Sequence, residues 1–316
     1  MKHSLIVLFI VLSVSTYAFA QSVSISDEKV FEFPPKKYER ADYSNEMRIS
    51  RGGQLYDNWW QATVNSEKPE KDHPLWKDQI HNKRSGYATF RCKECHGWDY
   101  KGKNGAYSKG SHYTGFMGVY SAARKMVLKD LENVLRGSTN KDHDFSDYIN
   151  NTDIADLALF LKKGLIDSNL IVNSDGKPVK GNINSGKYIF TNNCVNLCHG
   201  ESGVNINFGS DEEDEYIGTV ANGNPWELIH KVRAGQPGTS MPSAIINKWD
   251  KQDLRDLLAY VRTLPKSKTE DGFFNRVMRF MGLGVDYYMS KVPVKHRGYG
   301  PEIFIKSETG DATGAR

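Results

Sequence analysis

The sequence predicts an all-α fold of two tandem helical domains, and three observations predict it. Apolar residues recur at helical spacing at Ile154, Leu157, Ala158 and Leu161, and again at Leu254, Leu257, Leu258 and Val261. The segments leading to these two runs repeat one another in order and character. Each unit also carries the same tripeptide, Cys95-His96-Gly97 in one and Cys198-His199-Gly200 in the other. At 316 residues the chain has room for two domains of ordinary size plus extensions. A composition 39% hydrophobic and 25% charged is that of a soluble globular protein, which excludes a membrane bundle and a disordered chain.

The elements follow in chain order. Lys2 and His3 precede an apolar run from Leu5 to Val14, and Ala18-Phe19-Ala20 offers a small-residue cleavage site before Gln21, so residues 1–20 read as a signal peptide. The alternative is an uncleaved anchor, but the run is short of the roughly 20 residues a spanning helix needs. The mature chain is expected to begin near Gln21 in the periplasm, with an N-terminal extension over 21–45. The first domain is expected over 46–166. It opens on a helix through Gly52-Gly53-Gln54-Leu55-Tyr56-Asp57 and carries an insertion from Ala62 to Phe90 that contains His73-Pro74-Leu75-Trp76. Val127 to Gly137 forms its middle segment, and Asp153 to Leu161 its closing helix. Residues 167–181, rich in Asn, Asp, Gly and Pro, read as a linker. The second domain, 182–266, repeats the order with Ser185 to Phe190, Pro225 to Gly235, and Asp253 to Leu264. Asp153 and Asp253 stand where an acidic residue favours a helix start. The C-terminal extension, 267–316, suggests a short amphipathic helix around Phe273 to Met281 and then a polar tail.

Four cysteines in a secreted chain would ordinarily suggest two disulfides. Their placement points elsewhere. Cys92, Cys95 and His96 read C-K-E-C-H, the c-type haem attachment signature. Two thiols one helical turn apart can add to one edge of a macrocycle while the next residue aims its imidazole at the iron. Cys194, Cys198 and His199 read C-V-N-L-C-H, with one residue more between the cysteines. A Cys194 to Cys198 disulfide and a zinc site are the alternatives, but neither gives a reason for histidine to abut the second cysteine twice. The cofactors expected are two covalently bound haem c groups.

With these motifs in this order, Gly52 to Lys163 and Ser185 to Leu264 resemble class I c-type cytochromes, the second unit more closely. The resemblance implies a cytochrome c-like helical fold for each unit, His199 as proximal ligand of the second haem, and Met241 of Met241-Pro242 as its distal ligand. The first unit has no methionine at the corresponding place; His143 stands there instead, which implies bis-histidine ligation by His96 and His143. A loop histidine bonded to Asp142 or Asp144 is the alternative for His143, and His112 and Met117 compete with it as ligands. The stretch Trp98 to Gly105 is expected to fold over the first haem's edge.

A net charge of +4 makes no case for a nucleic-acid partner. Lys101, Lys103 and Lys109 follow the first motif and Asp211 to Glu215 the second, an asymmetry suited to steering different redox proteins to the two units, or simply a solvated surface. Peripheral membrane association is compatible with the chain and not required. Two functional readings stand. One is an electron carrier in which both irons are saturated by protein ligands, the first haem at lower potential than the second. The other is a haem enzyme, or the electron-accepting subunit of one, resembling thiosulfate dehydrogenases or peroxidase-like proteins, with reaction at the first haem. No proton-transfer dyad, nucleophile or phosphate loop argues for other chemistry.

Overall fold

The computed structural model describes residues 44–63, 68–210 and 213–267. The expected leader, the N-terminal extension up to residue 43, the C-terminal extension from residue 268, and Asp211 and Glu212 lie outside the described residues. The described residues are mostly helical and contain no strand, only isolated β-bridges such as Gly102 to Met117. None of their helices is long and apolar enough to cross a membrane.

Helix α1 (Asn45–Ala62) begins where the Ser44 side chain accepts the Met47 N–H at 3.3 Å. The insertion folds into two 3₁₀ turns, Pro74–Asp78 and Gly86–Phe90, and leads into the single-turn helix α2 (Cys92–His96). Helices α3 (Tyr120–Lys125) and α4 (Leu128–Leu135) follow, then a 3₁₀ turn at Lys141–His143. Helix α5 (Asn151–Leu159) is capped by the Asn150 side chain and runs on as a π turn, Phe160–Gly164. Leu55, Tyr56, Trp59, Leu131, Leu135, Ile154, Leu157 and Phe160 close over one hydrophobic core.

The second core belongs to the following residues. Helix α6 (Ile183–Phe190), capped by Asn182, continues without a break as a π turn, Thr191–His199. Helices α7 (Ile217–Gly223) and α8 (Pro225–Ala234) follow; Pro225 takes the first position of α8, where its missing N–H costs nothing, and Gly235 at φ +84° ends it. Helix α9 (Lys251–Val261) is capped by Asp250 and buries Leu254, Leu257, Leu258 and Val261 against Phe190, Ile229 and Val232. Each of those aliphatic side chains contributes about 1.5–3 kcal/mol by leaving water.

The two halves share several backbone features. α1 crosses α5 at Gly52, where a Cβ would run into the Asp156 carbonyl and the Phe160 side chain. α6 crosses α9 at Gly186, where it would run into the Asp256 carbonyl and the Tyr260 side chain. Polar caps stand at equal spacing ahead of each crossing, Asn150 before Asp156 and Asp250 before Asp256. Gly97 and Gly200 end the two cysteine-bearing turns at φ +78° and +71°.

Residues 167–181 do not hang free between the cores. Ile171 and Val172 are both 0% exposed and belong to the second core, and a bridge from Val172 to Pro178 folds the segment on itself. The polar composition suggests a tether, and the buried Ile171 and Val172 inside it decide the outcome. α8 also packs across to the first half, with the Ser50 hydroxyl donating to the Ala234 carbonyl at 2.8 Å.

Candidate haem-binding site

In the first half, α2 presents Cys92, Cys95 and His96 to a cavity of about 540 Å³. Its other walls are mainly apolar, with Phe90, Leu131, Leu135, Phe145, Leu157 and Leu161 among them, and His73 and His143 also face it. His96 Nδ1 lies 2.6 Å from the Met117 carbonyl oxygen. A carbonyl can only accept, so Nδ1 carries the proton and Nε2 keeps its lone pair for a metal. The His143 ring sits 6.3 Å from the His96 ring, centroid to centroid. That is roughly the separation of two imidazoles sharing one metal at bonds of about 2 Å. Burial keeps both rings neutral, the ligating form, with His96 pushed down to about 4 and His143 lowered as well.

The cysteines fit the same group. Burial pushes the Cys92 thiol up to about 12 and raises Cys95 further. Thiols held neutral are poor metal ligands, which speaks against thiolate coordination. Among the described residues no group of three or more His, Cys, Asp or Glu side chains is placed to hold a metal ion. All four cysteines are free thiols, and Cys194 and Cys198 form no disulfide.

Of the competing ligands of the first site, Met117 lines the same cavity and His112 does not. The Met117 side chain is 67% exposed while its carbonyl serves the His96 ring. His112 stacks on Tyr107 at 4.7 Å. The alternative partners of His143, Asp142 and Asp144, do not bond its ring; Nδ1 lies 3.4 Å from the Val134 carbonyl.

In the second half, the extra residue between the cysteines is absorbed by the backbone. After the first motif the Gly97 N–H donates to the Lys93 carbonyl at 2.9 Å, four residues back. After the second the Gly200 N–H donates to the Val195 carbonyl at 3.2 Å, five residues back. A π turn holds one more residue per hydrogen bond than an α turn, so Cys194 and Cys198 still stand one turn apart. His199 is buried between Phe190 and Phe208, at 6.4 and 6.1 Å, and its Nδ1 has no hydrogen-bond partner. Burial pushes its pKa down to about 4 and the Cys194 thiol up to about 12. Met241 and Cys194 both pack against the second core, which places the distal candidate and an attachment cysteine on the same cluster.

Four features depart from the sequence reading or were missing from it. Trp98 and Tyr100 do not cover the cavity; they are buried against α8, with the Tyr100 hydroxyl 2.9 Å from His230 Nδ1. His230, 1% exposed, places its other nitrogen 3.0 Å from the Gly53 carbonyl, so Nε2 donates there and Nδ1 accepts from Tyr100. Buried Asp57 pairs with both Arg91 and Lys231, the latter at 2.7 Å. Burial alone would raise its carboxyl, but those two cations hold it well below the usual carboxylate range. Lys101, read as a steering charge, is engaged by Asp167 at 2.8 Å.

Residues 181–261 match the protein family described as cytochrome c oxidase, cbb3-type, subunit III. The match covers about a quarter of the chain and supports a c-type cytochrome, with covalently bound haem c, a role in electron transfer and redox proteins as partners. No curated protein and no solved structure matches the chain.

Proposed function

We propose that the chain is a periplasmic dihaem electron carrier, built of two cytochrome c-like domains over 46–166 and 182–266 and exported by the leader at 1–20. The observation that carries this reading is the placement of His96 and His143 on one apolar cavity with Cys92 and Cys95, their rings 6.3 Å apart. Haem c, when bound, supplies one-electron chemistry.

The chain's own residues do the rest. Cys92 and Cys95, and Cys194 and Cys198, anchor one group each, which keeps the cofactor in an open compartment. His96 and His143 would hold the iron of the first group, and with both engaged a substrate would have no open position there. His199 and Met241 would hold the second group, where a thioether would favour the reduced metal and raise the potential. The chain therefore takes electrons in through its first half and delivers them to an acceptor from its second. Leu131, Leu135, Leu157 and Leu161 keep water from the first site.

A second reading, a haem enzyme reacting at the first site, draws support from His73. Its ring lies 6.2 Å from His143 on the same cavity, with Nδ1 accepting the Leu75 N–H at 3.2 Å. A carbon monoxide difference spectrum of the reduced, mature protein separates the two readings. The carrier binds little carbon monoxide at either haem, whereas stoichiometric binding at one haem favours the enzyme.

A further inference from the structure

The loop that leads to Met241 does not stand on the second half alone. It runs from Gly235 to Ser240, contains two glycines at positive φ (+84° at Gly235, +73° at Gly238), and is tied internally by Thr239, whose hydroxyl donates to the Gln236 carbonyl at 3.0 Å and accepts the Met241 N–H at 3.2 Å. Such a loop is costly to order.

Within the second half it is held to α8 by Lys231 and, just past Met241, by Ser243, Ala244 and Ile245, which donate to the Arg233 and Val232 carbonyls. α1 of the first half adds further supports. Gln54 Nε2 donates to the Ala234 carbonyl at 3.1 Å, at the root of the loop. Lys231 bridges the Asp57 carboxylate and the Gln236 side-chain oxygen, each at 2.7 Å. A Cβ on Gly235 would lie 2.9 Å from Gln54 Nε2 and 2.8 Å from the Met241 carbonyl oxygen. A Cβ on Gly238 would lie 3.0 Å from the Gln61 carbonyl. That carbonyl belongs to the last turn of α1, beyond the buried Asn58, whose φ of −156° and ψ of 86° interrupt the helix. The kink and the two glycines together let the loop lie against α1 backbone to backbone.

We infer that α1 of the first half is the scaffold of the methionine loop, so that Gln54 and Asp57 are positioning residues for the Met241 ligand. The inference rests on the reading of Met241 as an axial ligand. A thioether is a neutral, weakly held ligand, so its occupancy depends on how far the loop is preorganised before it meets the metal. Ligation in one half thereby depends on a helix of the other, and the distal ligand of the second haem is set in place by the first domain.

The test uses the full-length holoprotein and its Gln54→Met and Asp57→Asn variants. It follows the sulfur-to-iron charge-transfer band of the oxidised protein, the midpoint potential of the second haem, and displacement of methionine by added imidazole. In both variants the band should weaken, the second midpoint should fall, and imidazole should bind about three- to tenfold more tightly, the scale of one lost hydrogen bond. In Gln54→Met the first haem's spectrum should not change; Asp57→Asn also releases Arg91, which lines the first cavity beside Cys92. Gln54→Met decides the matter if Asp57→Asn fails to fold. A full band and unchanged imidazole affinity in folded Gln54→Met overturn the inference alone. A wild-type protein without the band overturns the Met241 reading and the inference with it.

Discussion

The carbonyl oxygen of Asp156 occupies the space into which a side chain on Gly52 would project, so α1 and α5 meet backbone to backbone. Gly186 and Asp256 stand in the same relation between α6 and α9. Adding a methyl at either crossing forces two packed helices apart. Gly52→Ala and Gly186→Ala should each lose about 1–3 kcal/mol of stability, read as a lower midpoint in denaturant unfolding of the holoprotein. An unchanged midpoint would mean that the helices do not cross this closely.

His230 predicts a pH dependence. Burial pushes its pKa down to about 3 in the folded protein, while in the unfolded chain it titrates near 6.5. Between those values the unfolded state binds the extra proton, so stability falls as the pH is lowered through the window. His230→Gln should be less stable near neutral pH, having lost the bond to Tyr100 or to Gly53. Its stability should also decline less steeply on acidification, by up to about 1.4 kcal/mol per pH unit. Parallel curves of unfolding free energy against pH would rule this out.

The π turn at Thr191–His199 predicts the outcome of a deletion. Removing Asn196 leaves two residues between the cysteines and lets the turn relax to α geometry, with Gly200 bonding four residues back. The variant should retain full haem attachment at Cys194 and Cys198, measured by intact mass. Loss of that haem would show that the extra residue has a role beyond being absorbed.

Removing the His143 ring should open the first iron. His143→Ala is expected to bind carbon monoxide at one haem per chain when reduced, with the second haem's spectrum unchanged. A variant that binds as little carbon monoxide as the parent would show another side chain at the iron, and His73 is the imidazole on the same cavity.

Much of this arrangement was legible in the sequence because it is written in local patterns. The two Cys-His-Gly tripeptides, the helical spacing at Ile154 to Leu161 and Leu254 to Val261, and the place of His143 in the repeat all lie within short windows. The helix ends were less legible: α1 begins at Asn45, seven residues before the glycine that marks its crossing, because a polar first turn carries no apolar signal. What could not be read is the contact between the halves. His230 sits in PWELIHKVRAG as any helical histidine would, and its partners Tyr100 and Gly53 are distant in the chain. Trp98 and Tyr100 followed a haem motif and so read as a cover for it. Their rings instead pack beside His230, at 5.0 and 5.8 Å, since an aromatic pair is drawn to whichever apolar surface the fold brings near.

The central claim is that each half holds its own haem, and the haem-to-protein ratio of the mature protein tests it most directly, by pyridine haemochrome absorbance against protein determined independently. Two haems per chain, with one lost when Cys194 and Cys198 are replaced by alanine, is the result expected. One haem per chain in the wild-type protein would contradict the account.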